Sequence, residues 1–264
     1  MHPRLISTPY FTIYTFGVLL AIAYMVALWW VVRGARREKL NQDRVISLCL
    51  WAIVGAIAGA KVMMILRSLP EYLANPGELW SLATIQSAGD FYGGFLGALA
   101  AVGIFFMRNK DLQFWPIADL CGPAIALGQA IGRIGCFMAG DDYGRAAAIP
   151  WAVTFTDPDA GRIGGAPLGV PLHPVQLYES LTCLALFLIL VRLARRKKFE
   201  GEIILAYALL YAAARFVIEY FRGDADRGFV FDGLFSISQL MAIVIAAVSV
   251  ILLAVRRRKS VASR

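Results

Sequence analysis

Leu234-Phe-Ser-Ile-Ser-Gln-Leu-Met-Ala-Ile-Val-Ile-Ala-Ala-Val-Ser-Val-Ile-Leu-Leu-Ala-Val255 carries no charged residue, then breaks into Arg256-Arg257-Arg258-Lys259. A helix that spans a bilayer needs about 20 mostly apolar residues, and basic clusters mark its cytoplasmic flank. The stretch reads as a transmembrane helix with its C-terminal end inside. Six further segments have the same character: Tyr10–Val32, Val45–Leu66, Phe91–Met107, Phe114–Phe137, Pro174–Val191 and Ile203–Phe221. Composition agrees, with 59% hydrophobic and 17% charged residues among 264. Soluble domains average about 45–50% apolar and about 25% charged, and a chain of this size would still leave about a quarter of its unfolded surface in water. A soluble enzyme, a secreted disulfide scaffold and a disordered tail are therefore excluded. The expectation is an all-α, polytopic integral membrane protein of seven transmembrane helices, with residues 1–264 forming a single transmembrane domain.

The net charge of +8, from 26 Lys+Arg against 18 Asp+Glu, would in a soluble protein suggest nucleic acid or anionic lipid. Here it partitions into topology. Arg33, Arg36, Arg37, Lys39 and Arg44 form one cluster; Arg108 and Lys110 a second; Arg192, Arg195, Arg196, Lys197 and Lys198 a third; Arg256, Arg257, Arg258, Lys259 and Arg264 the last. Seven spans put all four on one side, which makes the N-terminus periplasmic and the C-terminus cytoplasmic; no nucleic-acid partner is expected. The first span is too long for a signal-peptide core and lacks an A-x-A site, so it reads as retained. The connection at about 139–172, rich in Gly, Pro and Asp, reads as an irregular extracytoplasmic region able to bind something. Cys49, Cys121, Cys136 and Cys183 lie in apolar stretches without CxxC spacing, which indicates neither a zinc site nor a disulfide framework.

Lys61, Arg133, Arg215 and Arg222 fall within or at the ends of spans. A charge at mid-membrane costs about 2.5–3.5 kcal/mol on insertion scales, so each needs a partner or a wet cavity. Tyr211, Arg215, Glu219 and Arg222 follow i, i+4, i+8, i+11 spacing, which places them on one helix face. Two guanidiniums around one carboxylate read either as a self-satisfied triad or as a phosphate site, for which Arg is the preferred residue. Gly128, Gly132 and Gly135 flank Arg133 and allow close backbone approach, and Gly89-Asp-Phe-Tyr92-Gly93-Gly94-Phe-Leu-Gly97 sets small residues around a polar aromatic. His173-Pro-Val-Gln176-Leu-Tyr-Glu179 gathers polar residues at the outer edge of the fifth span. A lone His173 argues against zinc. The chain holds no G-x-S-x-G, Walker A or dinucleotide motif, so neither cofactor nor metal is expected.

Gly132-Arg133-Ile-Gly135-Cys136-Phe137 followed by Gly140 and Gly144 resembles the signature of the prolipoprotein diacylglyceryl transferases. The Tyr92-Gly93-Gly94 turn, His173-Pro-Val-Gln-Leu-Tyr-Glu179, Arg215-Phe-Val-Ile-Glu219-Tyr-Phe-Arg222 and Ser236-Ile-Ser-Gln239 match in order, over nearly the whole chain. The resemblance implies an enzyme of the bacterial cytoplasmic (inner) membrane, with its site toward the periplasm. It would transfer the diacylglyceryl group of phosphatidylglycerol, a membrane lipid, to the lipobox cysteine in the signal peptide of a preprolipoprotein. The resemblance implies catalytic roles for Arg133, Arg215, Tyr92 and Tyr14. It places Arg222, Glu219, Gly93, Gly94, Asp141, Gly144, His173 and Gln176 at the substrate. Many relatives carry His where this chain has Tyr92, and Asn where it has Cys136. The alternative is a non-enzymatic membrane protein, a small-solute transporter or a lipid- or lipoprotein-binding relative. The charged residues cluster near span ends rather than at a midplane site between broken helices, which is not the transporter pattern.

Overall fold

A computed structural model of the chain describes residues 2–8, 11–81, 84–85, 87, 89–224, 228–230 and 234–262; Tyr10 and Arg264 lie outside them. Seven of the described helices are long and apolar enough to cross a membrane. They are α1 (Thr15–Arg37), α2 (Gln42–Arg67), α4 (Phe91–Arg108), α5 (Phe114–Ala139), α7 (Val175–Ala194), α8 (Glu202–Ile218) and α9 (Ile237–Ala262), with short α3 (Leu69–Ala74) and α6 (Pro158–Ile163) between them. The all-α class holds; the only strands described are six short ones, paired two by two in hairpins.

The first helix starts later than its hydropathy suggests. Thr12–Tyr14 (β2) pairs antiparallel with Arg4–Ser7 (β1), with Tyr14 opposite Arg4, and α1 begins only at Thr15. Tyr14 therefore stands on a strand at the helix mouth, not in the span.

The described chain forms two compact units, residues 34–114 and residues 1–33 with 115–264. In the first, α2 and α4 are locked backbone to backbone. A Cβ on Gly59 would sit 2.3 Å from Gly93 O, and one on Gly97 would sit 2.2 Å from Gly55 O. Gly55-xxx-Gly59 on α2 thus meshes with Gly93-xxx-Gly97 on α4, the small-residue packing that substitutes for hydrophobic drive inside lipid. Asp90 caps α4 by accepting the Gly93 N–H (2.9 Å) and pairs with Arg67 (2.8 Å). Lys61 turns its ammonium onto the carbonyls of Thr84 (2.6 Å) and Ser87 (2.6 Å), which partners its charge without a carboxylate.

In the second unit, α5 is the central element. Gly128 faces Ala23 and Ala27 of α1, Gly135 faces Phe16, and Gly122 faces the backbone of Ile203 on α8; Gly132 meets nothing within 4 Å. Buried Ala126, Leu186, Leu190, Ile203 and Tyr207 join α5, α7 and α8. Asp119 reaches from α5 to the start of α8, accepting the N–H groups of Gly201 (2.8 Å), Ile203 (2.9 Å) and Ile204 (3.1 Å). A helix start leaves its first N–H groups unpaired, and a side chain from another helix satisfies them here. This sets the height of α8 against α5. The connection after α5 is more ordered than its composition implies. Val153–Thr154 (β3) pairs with Pro171–Leu172 (β4), and Phe155, Ala160, Ala166 and Leu172 form a small core beneath Phe137, Tyr143 and Val170.

Candidate active site

The end of α5, the segment after it, the start of α7 and the end of α8 converge on a network of ions. Glu179 of α7, 2% exposed, lies at its centre. Its Oε2 takes the Arg133 Nε at 3.1 Å and lies 3.8 Å from Arg215 Nη1; its Oε1 accepts the Tyr211 hydroxyl at 2.8 Å. Arg133 and Arg215 come from different helices and share one carboxylate. Arg215 Nη2 also pairs with Glu219 at 3.0 Å, one turn on along the helix. Arg215 Nη1 is buried and has no hydrogen-bond partner among the described residues.

Arg222 departs from the helical face that its spacing suggested. The α-helix ends at Ile218, residues 219–221 tighten into a 3₁₀ turn, and Arg222 is extended at φ −72° and ψ 147°. Its guanidinium accordingly turns away from Glu219, to Asp142 (2.5 Å) and Asp224 (2.9 Å). Asp142 also pairs with Arg133, so it joins two of the three arginines. Burial opposes its ionisation, but the guanidiniums of Arg133 and Arg222 outweigh that and hold the carboxyl at about 2. An unfolded Asp titrates near 3.9. Its stabilising share, on the order of 2 kcal/mol, is therefore complete above about pH 4 and fades as pH falls toward 2. The melting-temperature gap between the wild-type chain and Asp142→Asn should be widest at pH 6 and narrow steadily below pH 4. A gap that does not change with pH contradicts the pairing.

Gly144 ties the segment after α5 to Arg222 through the backbone. It forms a β-bridge with Arg222, flanked by bonds from Arg145 N to Phe221 O (2.9 Å) and Gly223 N to Tyr143 O (3.0 Å). A Cβ at Gly144 would lie 2.2 Å from His173 O and 2.7 Å from Val175 Cγ2. Gly144→Ala must push this ladder off α7 and carry Arg222 with it. The expected result is a loss of about 1–3 kcal/mol of stability, read from a melting curve; a fully stable variant contradicts the packing.

The other sequence-derived positions fall as follows. Asp141 accepts the Asp142 N–H (2.9 Å) on its side chain and the Gln176 amide (2.8 Å) on its carbonyl. His173 lies beside Phe221 (5.2 Å) with Nδ1 3.2 Å from the Tyr178 hydroxyl, which also accepts from Trp151. Tyr14 is two residues before Phe16, whose ring packs on Gly135, next to the last turns of α5. In the other unit, Tyr92 is partly exposed in the first turn of α4, and Gly93 and Gly94 lie against α2. Cys136 Sγ and the carboxylates of Asp141 and Asp142 lie within 4.8 Å of one another, but Asp142 already serves two guanidiniums, so a cation there would face Arg133. Asp142 is not singled out by the sequence, and Glu179 enters there only as the end of the polar group that opens the fifth span. A lone glutamate inside an apolar span is itself the signal that would have found Glu179.

Chemically, the arrangement interleaves three guanidiniums with four carboxylates, and one guanidinium nitrogen, Arg215 Nη1, is still able to donate. A family model described as prolipoprotein diacylglyceryl transferase matches residues 3–255. The phosphatidylglycerol–prolipoprotein diacylglyceryl transferase of Geobacter sulfurreducens is 35% identical over 232 residues, 86% of this chain and 84% of that protein. The protein of the same name from Finegoldia magna is 34% identical over 239 residues, 90% of this chain and 88% of its own. That of Solidesulfovibrio magneticus is 33% identical over 261 residues, 96% and 94% of the two chains.

Proposed function

Because the chain belongs to the prolipoprotein diacylglyceryl transferase family, we propose that it transfers the diacylglyceryl group of phosphatidylglycerol to the lipobox cysteine thiol of a preprolipoprotein, the first step of lipoprotein maturation. The sulfur bonds to the glyceryl carbon that carries the phosphate. The bond from that carbon to the phosphate oxygen breaks, and glycerol phosphate leaves with the electron pair. The thiol proton passes to a base. No electron is gained or lost overall, so the chemistry asks for charge stabilisation and proton acceptance.

The observation that carries this reading is the convergence of Arg133 and Arg215 on Glu179, with Arg215 Nη1 buried and without a hydrogen-bond partner among the described residues. The phosphate goes from a monoanionic diester to a monoester that can carry a second charge. Donors fixed in advance where charge develops lower the barrier most, and guanidinium forks match phosphate oxygens. A guanidinium beside the incoming thiol also favours its thiolate. In this reading Arg133 and Arg215 meet the phosphate, and Arg222, Glu219, Asp141, Gly144, His173 and Gln176 shape the site. Tyr14, and Tyr92 with Gly93 and Gly94, serve the reaction as the family resemblance implies. Residues 1–264 act as a single transmembrane domain in the bacterial cytoplasmic membrane, N-terminus periplasmic and C-terminus cytoplasmic, as the basic clusters favour. A non-enzymatic transporter is not favoured, since the relatives that carry the transferase name match almost the entire length.

The test is direct. Purified protein in bilayers containing phosphatidylglycerol is given a lipobox peptide, and peptide mass and released glycerol phosphate are followed together. One glycerol phosphate per diacylglyceryl adduct is the expected result. A folded protein that lipidates nothing in the presence of the lipid overturns the proposal.

A further inference from the structure

Gln176 is 1% exposed in the first turn of α7. Its Nε2 donates to the Asp141 carbonyl at 2.8 Å, which fixes the orientation of the amide. Its Oε1 is then left buried with no hydrogen-bond partner among the described residues. A buried acceptor without a donor is costly, so one kept in a native chain calls for an explanation, and a bound partner that donates to it is one. Arg215 Nη1, a donor, is in the same condition.

Both atoms belong to residues that neighbour Glu179. Gln176 and Glu179 are three residues apart on α7, so their Cβ atoms are about 5–6 Å apart on one face. Glu179 Oε2 in turn lies 3.8 Å from Arg215 Nη1 and 3.1 Å from Arg133 Nε. A ligand that completes both atoms must present an anionic oxygen to the guanidiniums and a hydroxyl to the amide oxygen a few bonds away. A phosphoglycerol headgroup has that arrangement. An alkyl phosphate satisfies only the arginines.

We infer that Gln176 is the residue that reads the headgroup, its Oε1 accepting a hydroxyl of the departing glycerol and so selecting phosphatidylglycerol over phosphodiester lipids without one. The inference rests on the transferase reading and deepens it. Discrimination of this kind comes from the polar atom left unpaired by the wrong substrate.

The experiment compares two donors of identical acyl chains, phosphatidylglycerol and phosphatidylpropanol, with the full-length protein and a lipobox peptide. The wild-type chain should prefer phosphatidylglycerol by about tenfold or more in kcat/KM. Gln176→Met, of similar length but without the acceptor, should bring that ratio close to one. The ratio is taken within one variant, so a partly folded preparation does not distort it. A Gln176→Met chain that slows on both donors with its preference intact shows that Gln176 only holds the Asp141 segment, and overturns the inference. So does a wild-type chain that uses both donors equally. Failure of the wild-type chain to use either donor instead defeats the transferase reading beneath it.

Discussion

Arg133→Ala and Arg215→Ala should each lower kcat/KM for lipidation by about 10²–10³-fold, the usual consequence of removing a donor aimed at developing charge. The two truncations are not equivalent. Arg133 joins Glu179 on one side and Asp142 on the other, so its loss also removes one of the ties between the segment after α5 and α7. Arg215 pairs with Glu179 and with Glu219 on its own helix, so its loss strands charge within the bundle. Leaving a buried carboxylate short of its partner costs about 3–5 kcal/mol, so each variant needs a melting curve beside its rate. Arg133→Lys separates charge from shape. A lysine is a point charge with no planar fork, and it cannot serve Glu179 and Asp142 together at guanidinium geometry. It should regain stability before it regains rate. A folded Arg133→Ala or Arg215→Ala chain with a near-normal rate removes that residue from the phosphate site.

What the sequence disclosed, and what it hid, follows from the range of each interaction. The spans were legible because lipid imposes a local rule, about 20 apolar residues, and Leu234–Val255 obeys it without help from any other segment. The sequence carries the first span through Tyr14 because no charge interrupts Thr12–Tyr14; only pairing with Arg4–Ser7 makes it a strand. Arg222 was placed on a helix face by spacing alone. Its true position depends on a backbone bridge to Gly144, a contact made 78 residues away. The core of Phe155, Ala160, Ala166 and Leu172 has neither helical nor strand period, so the segment that holds it read as irregular. Arg133 and Arg215 were found because an arginine in a span is anomalous wherever its partner lies. Their meeting point could not be found in this way, since it depends on how α5, α7 and α8 stand against one another, and Asp119 and the α5 glycines set that from afar.

Glu179 is therefore the position where the largest loss outside the arginines is expected. Glu179→Ala removes the acceptor shared by Arg133, Arg215 and Tyr211. Two guanidiniums then face each other with no anion between them, and the expected cost is about 3–5 kcal/mol of stability with lipidation at background. Glu179→Gln is the more telling variant. It keeps the shape and an acceptor for Tyr211 but deletes one negative charge. Under the proposed function that charge competes with the phosphate for the arginines in the wild-type chain, which weakens binding of the diester and frees the more highly charged product. Without it, phosphatidylglycerol should bind more tightly, with a lower KM, while glycerol phosphate should inhibit more strongly and kcat should fall. Interactions that strengthen ground state and product alike do not speed turnover. A merely structural glutamate would lower stability and leave KM and product inhibition unchanged. That outcome would mean Glu179 holds the helices together but does not tune the arginines that meet the lipid.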